Sequence, residues 1–181
     1  MAMRQLLLLR HAKSSWDDPA LADFDRPLAP RGQKAAPLIG AEMARRNWAP
    51  GVALVSPAAR TRATWTLAAA NLLEPPQAIY PERLYMAGPD YLLSLVREAP
   101  WQIETLLLVG HNPGLEEFAA TLAGDVGTAS AVVASEAGSD TAGAAGALAI
   151  VAALSAADHA MDSAGFSGWV GQRARAGARL R

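Results

Sequence analysis

No cysteine occurs in the 181-residue chain. That absence excludes disulfides, thiolate metal sites and a thiol nucleophile, although it leaves the redox compartment open. An excess of one charge is also lacking. With 16 basic against 17 acidic side chains the net charge is −1, so the overall balance advertises neither nucleic acid nor an anionic membrane as a partner. Any anion-binding site has to be a local cluster. Long apolar runs are missing as well: the four leucines at 6–9 are too short for a secretory core or a membrane span, and a cytoplasmic chain is expected. What is present, 51% hydrophobic and 18% charged residues, suits a single domain over 1–181 with a sizeable core.

Three short apolar runs, at 6–9, 52–55 and 105–109, alternate with stretches of helical spacing. A run of four apolar residues does not by itself separate a strand from a helix; the polar motif and helical stretch after each run decide for strands. Residues 30–47 place Leu38, Ile39 and Met43 on one side and Arg31, Lys34, Glu42, Arg45 and Arg46 on the other, which predicts an amphipathic helix with Pro37 disturbing its first turn. Residues 58–72, 90–98 and 114–123 predict three more helices, the first closed by Pro75-Pro76. The alternation implies an α/β fold, a three-layer sandwich with a mostly parallel central sheet and helices on both faces.

From 126 to 165 the chain has 15 alanines and no lysine or arginine. Few large apolar side chains are available there, so residues 126–144 are expected to be poorly ordered, as is the arginine-rich end at 171–181. Residues 146–154, with Leu148, Ile150, Val151 and Leu154, fit a strand or a short helix, with the strand as the preferred reading.

Each apolar run leads into a polar motif. Arg10-His11-Ala12-Lys13-Ser14 comes after the first, Ser56-Pro57-Ala58-Ala59-Arg60 after the second, and Gly110-His111-Asn112-Pro113-Gly114 after the third. Ligands of open α/β sheets bind beyond the carboxyl ends of the strands, so parallel neighbours would bring two histidines and two arginines to one mouth. Guanidinium forks match the oxygens of a tetrahedral dianion and keep their charge. A neutral imidazole whose second nitrogen donates to a carbonyl has a lone pair for in-line attack on phosphorus, and a second histidine can donate as charge develops. Taken singly, the motifs also fit a chance Arg-His pair, a helix start at Pro57 and an ordinary Asn-Pro turn. Their joint placement at the same end of separate strands has no such structural explanation.

The ordered set of Arg10-His11, Asp25-Arg26-Pro27-Leu28, Arg31-Gly32, Ser56-Pro57 with Arg60 and Thr64, and Val109-Gly110-His111-Asn112-Pro113 resembles the histidine phosphatase superfamily, and within it the small SixA-like phosphohistidine phosphatases. The likeness spans about residues 4 to 124. It implies a phosphoglycerate-mutase-like fold and a metal-independent phosphohydrolase with no cofactor. It implies His11 as nucleophile, Arg10, Arg60 and His111 as the phosphate pocket, and Arg26 as a further phosphate-side contact. Its acidic proton donor falls between Arg60 and His111, where Glu82 is the candidate beside the alternative of an exposed glutamate before a helix. A phosphorylated protein or a small phosphorylated substrate is the implied partner, with no nucleic acid, no membrane and no implied oligomeric state. Two other readings stay open: a catalytically idle phosphate-binding or regulatory module, and a zinc site from His11, His111 and His159.

Overall fold

The computed structural model describes residues 4–100, 102–125, 132–134 and 149–154. Its strands are β1 (Arg4–Arg10), β2 (Val52–Val55), β3 (Ala78–Ile79), β4 (Thr105–Gly110), β5 (Val132–Ala134) and β6 (Ala149–Leu154). Its helices are α1 (Pro30–Arg45), α2 (Ala59–Ala69), α3 (Pro89–Arg97) and α4 (Gly114–Asp125), with 3-10 turns at Asp23–Asp25 and Glu82–Leu84. The sheet order is β3-β2-β4-β1-β6-β5. The first four strands are parallel wherever they pair, and β6 runs antiparallel to both β1 and β5.

The three predicted runs are strands because both of their faces are covered. Leu6 and Leu8 point into a core shared with Leu54, Leu108, Leu92 and Leu95 of α3, and Phe118 of α4. Leu7 and Leu9 point the other way, into a core shared with Ala53, Val55, Val109, Met43 of α1 and Trp65 of α2. A strand buried on both sides reads as a continuous apolar run rather than an alternating one. Each such leucine stabilises the fold by about 1.5–3 kcal/mol relative to an exposed one. The expected three-layer α/β sandwich is therefore the observed architecture.

Boundaries differ in instructive ways. Helix α1 runs through Pro37 without a break and stops at Arg45, two residues before the expected end. Asn47 takes a left-handed conformation with φ 55°, and Trp48 N–H reaches back to the Met43 carbonyl at 2.9 Å, the six-to-one bond of a Schellman cap. Gly40 lies so close to the Ala68 carbonyl that a Cβ there would collide with it, which lets α1 and α2 pack at close range. The strand expected at 146–154 is present as β6, beginning at Ala149. Of the segments expected to be poorly ordered, 171–181 and most of 126–144 lie outside the described residues; Val132–Ala134, inside the latter, forms β5. Among the described residues, no helix is long and apolar enough to cross a membrane.

Candidate active site

Parallel register brings three loops to one rim. Arg10 is level with Gly110, and both Leu9 and Val55 are level with Val109. His11 and His111 therefore leave the sheet at the same height, and Ser56 one residue below them. Backbone bonds fix them there, from His11 N–H to the Gly110 carbonyl (3.1 Å) and from Ser56 N–H to the Val109 carbonyl (2.9 Å). Arg60 belongs to the first turn of α2, which starts just after β2.

The His11 ring is held by its neighbour. Nδ1–H donates to the Ala12 carbonyl at 2.7 Å, and because a carbonyl only accepts, the proton is on Nδ1 and the lone pair on Nε2. Arg60 Nε–H faces that lone pair at 3.3 Å. Ala12 N–H donates to Thr64 Oγ1 (3.0 Å), whose hydroxyl donates to the Arg60 carbonyl (2.7 Å). Burial lowers the His11 pKa to about 4, with Arg60 and Arg10 adding to the shift and the bond to the Ala12 carbonyl opposing it. The ring is therefore neutral at neutral pH.

His111 lies beside it, with ring centroids 5.2 Å apart. Its Nδ1 is 3.2 Å from Arg60 Nη2 and its Nε2 is 2.7 Å from Ser56 Oγ. A guanidinium can only donate, so Nδ1 accepts and the proton sits on Nε2, donated to the serine oxygen. Burial, then the charge of Arg60 and then His11, push this imidazole down to about 3.

Two residues that the sequence did not single out complete the cluster. Asp23 accepts from Arg60 through both its backbone carbonyl and its carboxylate, Oδ2 lying 2.8 Å from Nη2. The Tyr85 hydroxyl donates to the same Oδ2 at 2.7 Å, and its ring stands edge-on to His111. Met86, in the left-handed region with φ 52°, turns the chain directly after it. The one signal for Asp23 in the sequence is an acidic residue three before Arg26, and for Tyr85 there is none.

Arg10, Arg26 and Glu82, the other expected residues, differ in how they meet this cluster. Arg10 has a buried Nε–H with no hydrogen-bond partner among the described residues, and leaving such a donor unpaired costs about 1–3 kcal/mol. Arg26 is buried and donates to the Ser15 carbonyl, to Ser14 Oγ and to Asp23 Oδ1 (2.9 Å), so it joins the cluster through Asp23 rather than by facing His11. Its guanidinium also stacks on Trp16 at 3.2 Å from the ring centroid. Glu82 opens the 3-10 turn that delivers Tyr85, and its carboxyl makes no hydrogen bond or ion pair among the described residues. Nowhere among the described residues do three or more His, Cys, Asp or Glu side chains gather as metal ligands; His159 lies outside them.

Comparison with known proteins bears on the fold and the family. The model of the histidine phosphatase superfamily (branch 1) matches residues 6–82. An uncharacterized protein of Mycobacterium tuberculosis is 43% identical over 124 residues, which is 68% of this chain and 75% of that one. Among solved structures, one from Agrobacterium tumefaciens, provisionally named the phosphohistidine phosphatase SixA, superposes with a TM-score of 0.61 at 33% identity, over 66% of this chain and 76% of its own. The protein histidine phosphatase SixA complexed with tungstate superposes with a TM-score of 0.57 at 25% identity, over 71% of this chain and 85% of its own. With the family model and the solved structures in accord, the chain belongs to the histidine phosphatase superfamily, in its SixA-like branch.

Proposed function

We propose that this protein is a metal-independent phosphohydrolase that works through a phosphohistidine on His11, taking its phosphoryl group from a phosphohistidine protein or a small phosphoester. The observation that carries the reading is the state of one ring: His11 has its proton tied to the Ala12 carbonyl and its Nε2 lone pair aimed at the guanidinium of Arg60. That is a pre-oriented nucleophile facing an oxyanion cradle.

In the first step the Nε2 lone pair forms a bond to phosphorus as the bond to the leaving group breaks, and the leaving group departs with its electron pair and takes up a proton. In the second, water attacks phosphorus, the N–P pair returns to Nε2, and inorganic phosphate is released. Arg60 and Arg10 balance the charge of the phosphoryl oxygens in both steps. Ser56 gives His111 a second role. A hydroxyl can donate as well as accept, so Ser56 equally supports the other His111 tautomer, reached by proton exchange with solvent, in which Nε2 accepts from the hydroxyl and Nδ1–H can donate to a phosphoryl oxygen. When the leaving group is an imidazole no strong acid is needed. For an ester, Glu82, on the turn that ends at Tyr85, is the proposed proton donor.

The similarity to SixA, known with bound tungstate, an oxyanion of phosphate's shape, supports this assignment. The test is to trap the intermediate. Wild-type protein mixed with a labelled phosphohistidine protein or with p-nitrophenyl phosphate is expected to yield an acid-labile, base-stable phosphoenzyme, and His11→Ala to yield neither phosphoenzyme nor turnover. Undiminished phosphate release by His11→Ala overturns the mechanism. Tight phosphate binding by a wild type that never turns over identifies an idle module instead.

A further inference from the structure

A guanidinium can grip two acceptors along its end-on edge, Nη1 with Nη2, or along its side-on edge, Nε with Nη2. In Arg60 the two edges face different neighbours. The side-on edge is turned to the histidines, Nε toward His11 Nε2 (3.3 Å) and Nη2 toward His111 Nδ1 (3.2 Å). The end-on edge is taken by Asp23 alone, whose backbone carbonyl accepts from Nη1 and whose Oδ2 accepts from Nη2. Asp23 is anchored in turn by the Tyr85 hydroxyl on Oδ2 and by Arg26 on Oδ1.

We infer that Asp23 is a positioning residue: supported by Tyr85, it clamps the end-on edge of Arg60 and so aims the side-on edge at the phosphoryl group carried by His11. A carboxylate on an arginine of a phosphate site could instead be a stand-in anion that has to leave before substrate binds. The division of edges argues for the clamp, because Asp23 supplies its acceptors on the edge turned away from the two imidazoles. Its charge is also constant under working conditions, since Tyr85 first, then Arg60 and Arg26, hold the carboxyl down at about 2 against the opposing effect of burial.

The catalytic consequence rests on His11 being the phosphoryl acceptor, but the clamp can be observed without it. In 15N-labelled wild type, the Nη1 and Nη2 protons of Arg60, assigned by their loss in Arg60→Lys, are expected as separate resonances because the anchored edge stops the guanidinium rotating. In Asp23→Ala they merge, and in the isosteric Asp23→Asn they broaden, which supplies a second variant should the alanine form fail to fold. With p-nitrophenyl phosphate, Asp23→Ala is expected to lower kcat about 100-fold, the cost of roughly an ångström of misplacement, with little change in KM. Added to Arg60→Ala, it lowers kcat no further, because both changes act through one guanidinium. Separate resonances that persist in Asp23→Ala, or losses that multiply in the double variant, overturn the clamp. Tighter binding of inorganic phosphate by Asp23→Ala with kcat intact makes Asp23 the stand-in anion. A wild type that neither turns over nor forms a phosphoenzyme defeats the proposed function and leaves the resonances to decide on Asp23.

Discussion

Glu42 on α1 and Asp23 at the rim of the sheet each hold two arginines, at 2.5–2.7 Å for the first and 2.8–2.9 Å for the second. Both carboxyls are pushed down to about 2. The difference lies in the arginines. Those of Glu42 are on the surface, Arg45 with 66% of its side chain exposed, whereas the side chains of Arg60 and Arg26 are 4% and 7% exposed. A solvated guanidinium released from its carboxylate returns to water, so the pair decides almost nothing. A buried one has no such alternative, and its partner dictates where its remaining donors point. Asp23 itself is 47% exposed, so water shares its charge, and its importance lies in orientation rather than in stability of the fold.

Three measurements can break or sharpen that contrast, beyond the trapping of the intermediate and the test of the Asp23 clamp. The largest effect is expected from Arg60→Ala. Removing a preorganised donor from developing charge costs about 2.7–4 kcal/mol, or roughly 10²–10³ in kcat, and a steady-state assay that finds less than tenfold makes the buried arginine no more consequential than a surface one.

Next comes pH. The free-enzyme His11 is neutral down to about pH 4, so the limb of kcat/KM due to the nucleophile, after allowance for substrate ionisation, is expected near 4. At the ordinary value of 6.5 it would already cost about 30-fold at pH 5. A limb found at 6.5 would show that burial does not act on this ring. The sign for stability is the same: His11 and His111 are neutral in the fold but titrate near 6.5 when unfolded, so their contribution is present above pH 6.5 and declines as pH falls toward about 4 and 3. Smallest is Glu42→Gln, for which kcat/KM and the thermal midpoint are expected to be indistinguishable from wild type; a measurable loss in either would erase the distinction between the two clusters.

Much of this was legible from local pattern. Strands β1, β2 and β4 announce themselves as apolar runs, and the motifs behind them hold His11, Ser56, Arg60 and His111, because in a parallel sheet the position after a strand already specifies the end at which a residue emerges. Asp23 and Tyr85 were illegible for the opposite reason. Asp23 meets Arg60 across 37 positions and Tyr85 across 62, contacts that depend on how loops return over the rim and leave no periodicity behind. Arg26 was found by resemblance, but the direction of its guanidinium, toward Ser14, Ser15 and Asp23, is set by the shape of that same loop. The two-residue β3 is too short for any pattern to detect, and Asn47 ended α1 through a backbone conformation that composition does not encode.

The single oxygen of Thr64 ties the amide just beyond His11 to the carbonyl of Arg60 opposite. The two partners thus share one tether. Under the proposed mechanism, the separation between His11 and the Arg60 guanidinium is set by one side chain as well as by the packing of α2 on the sheet.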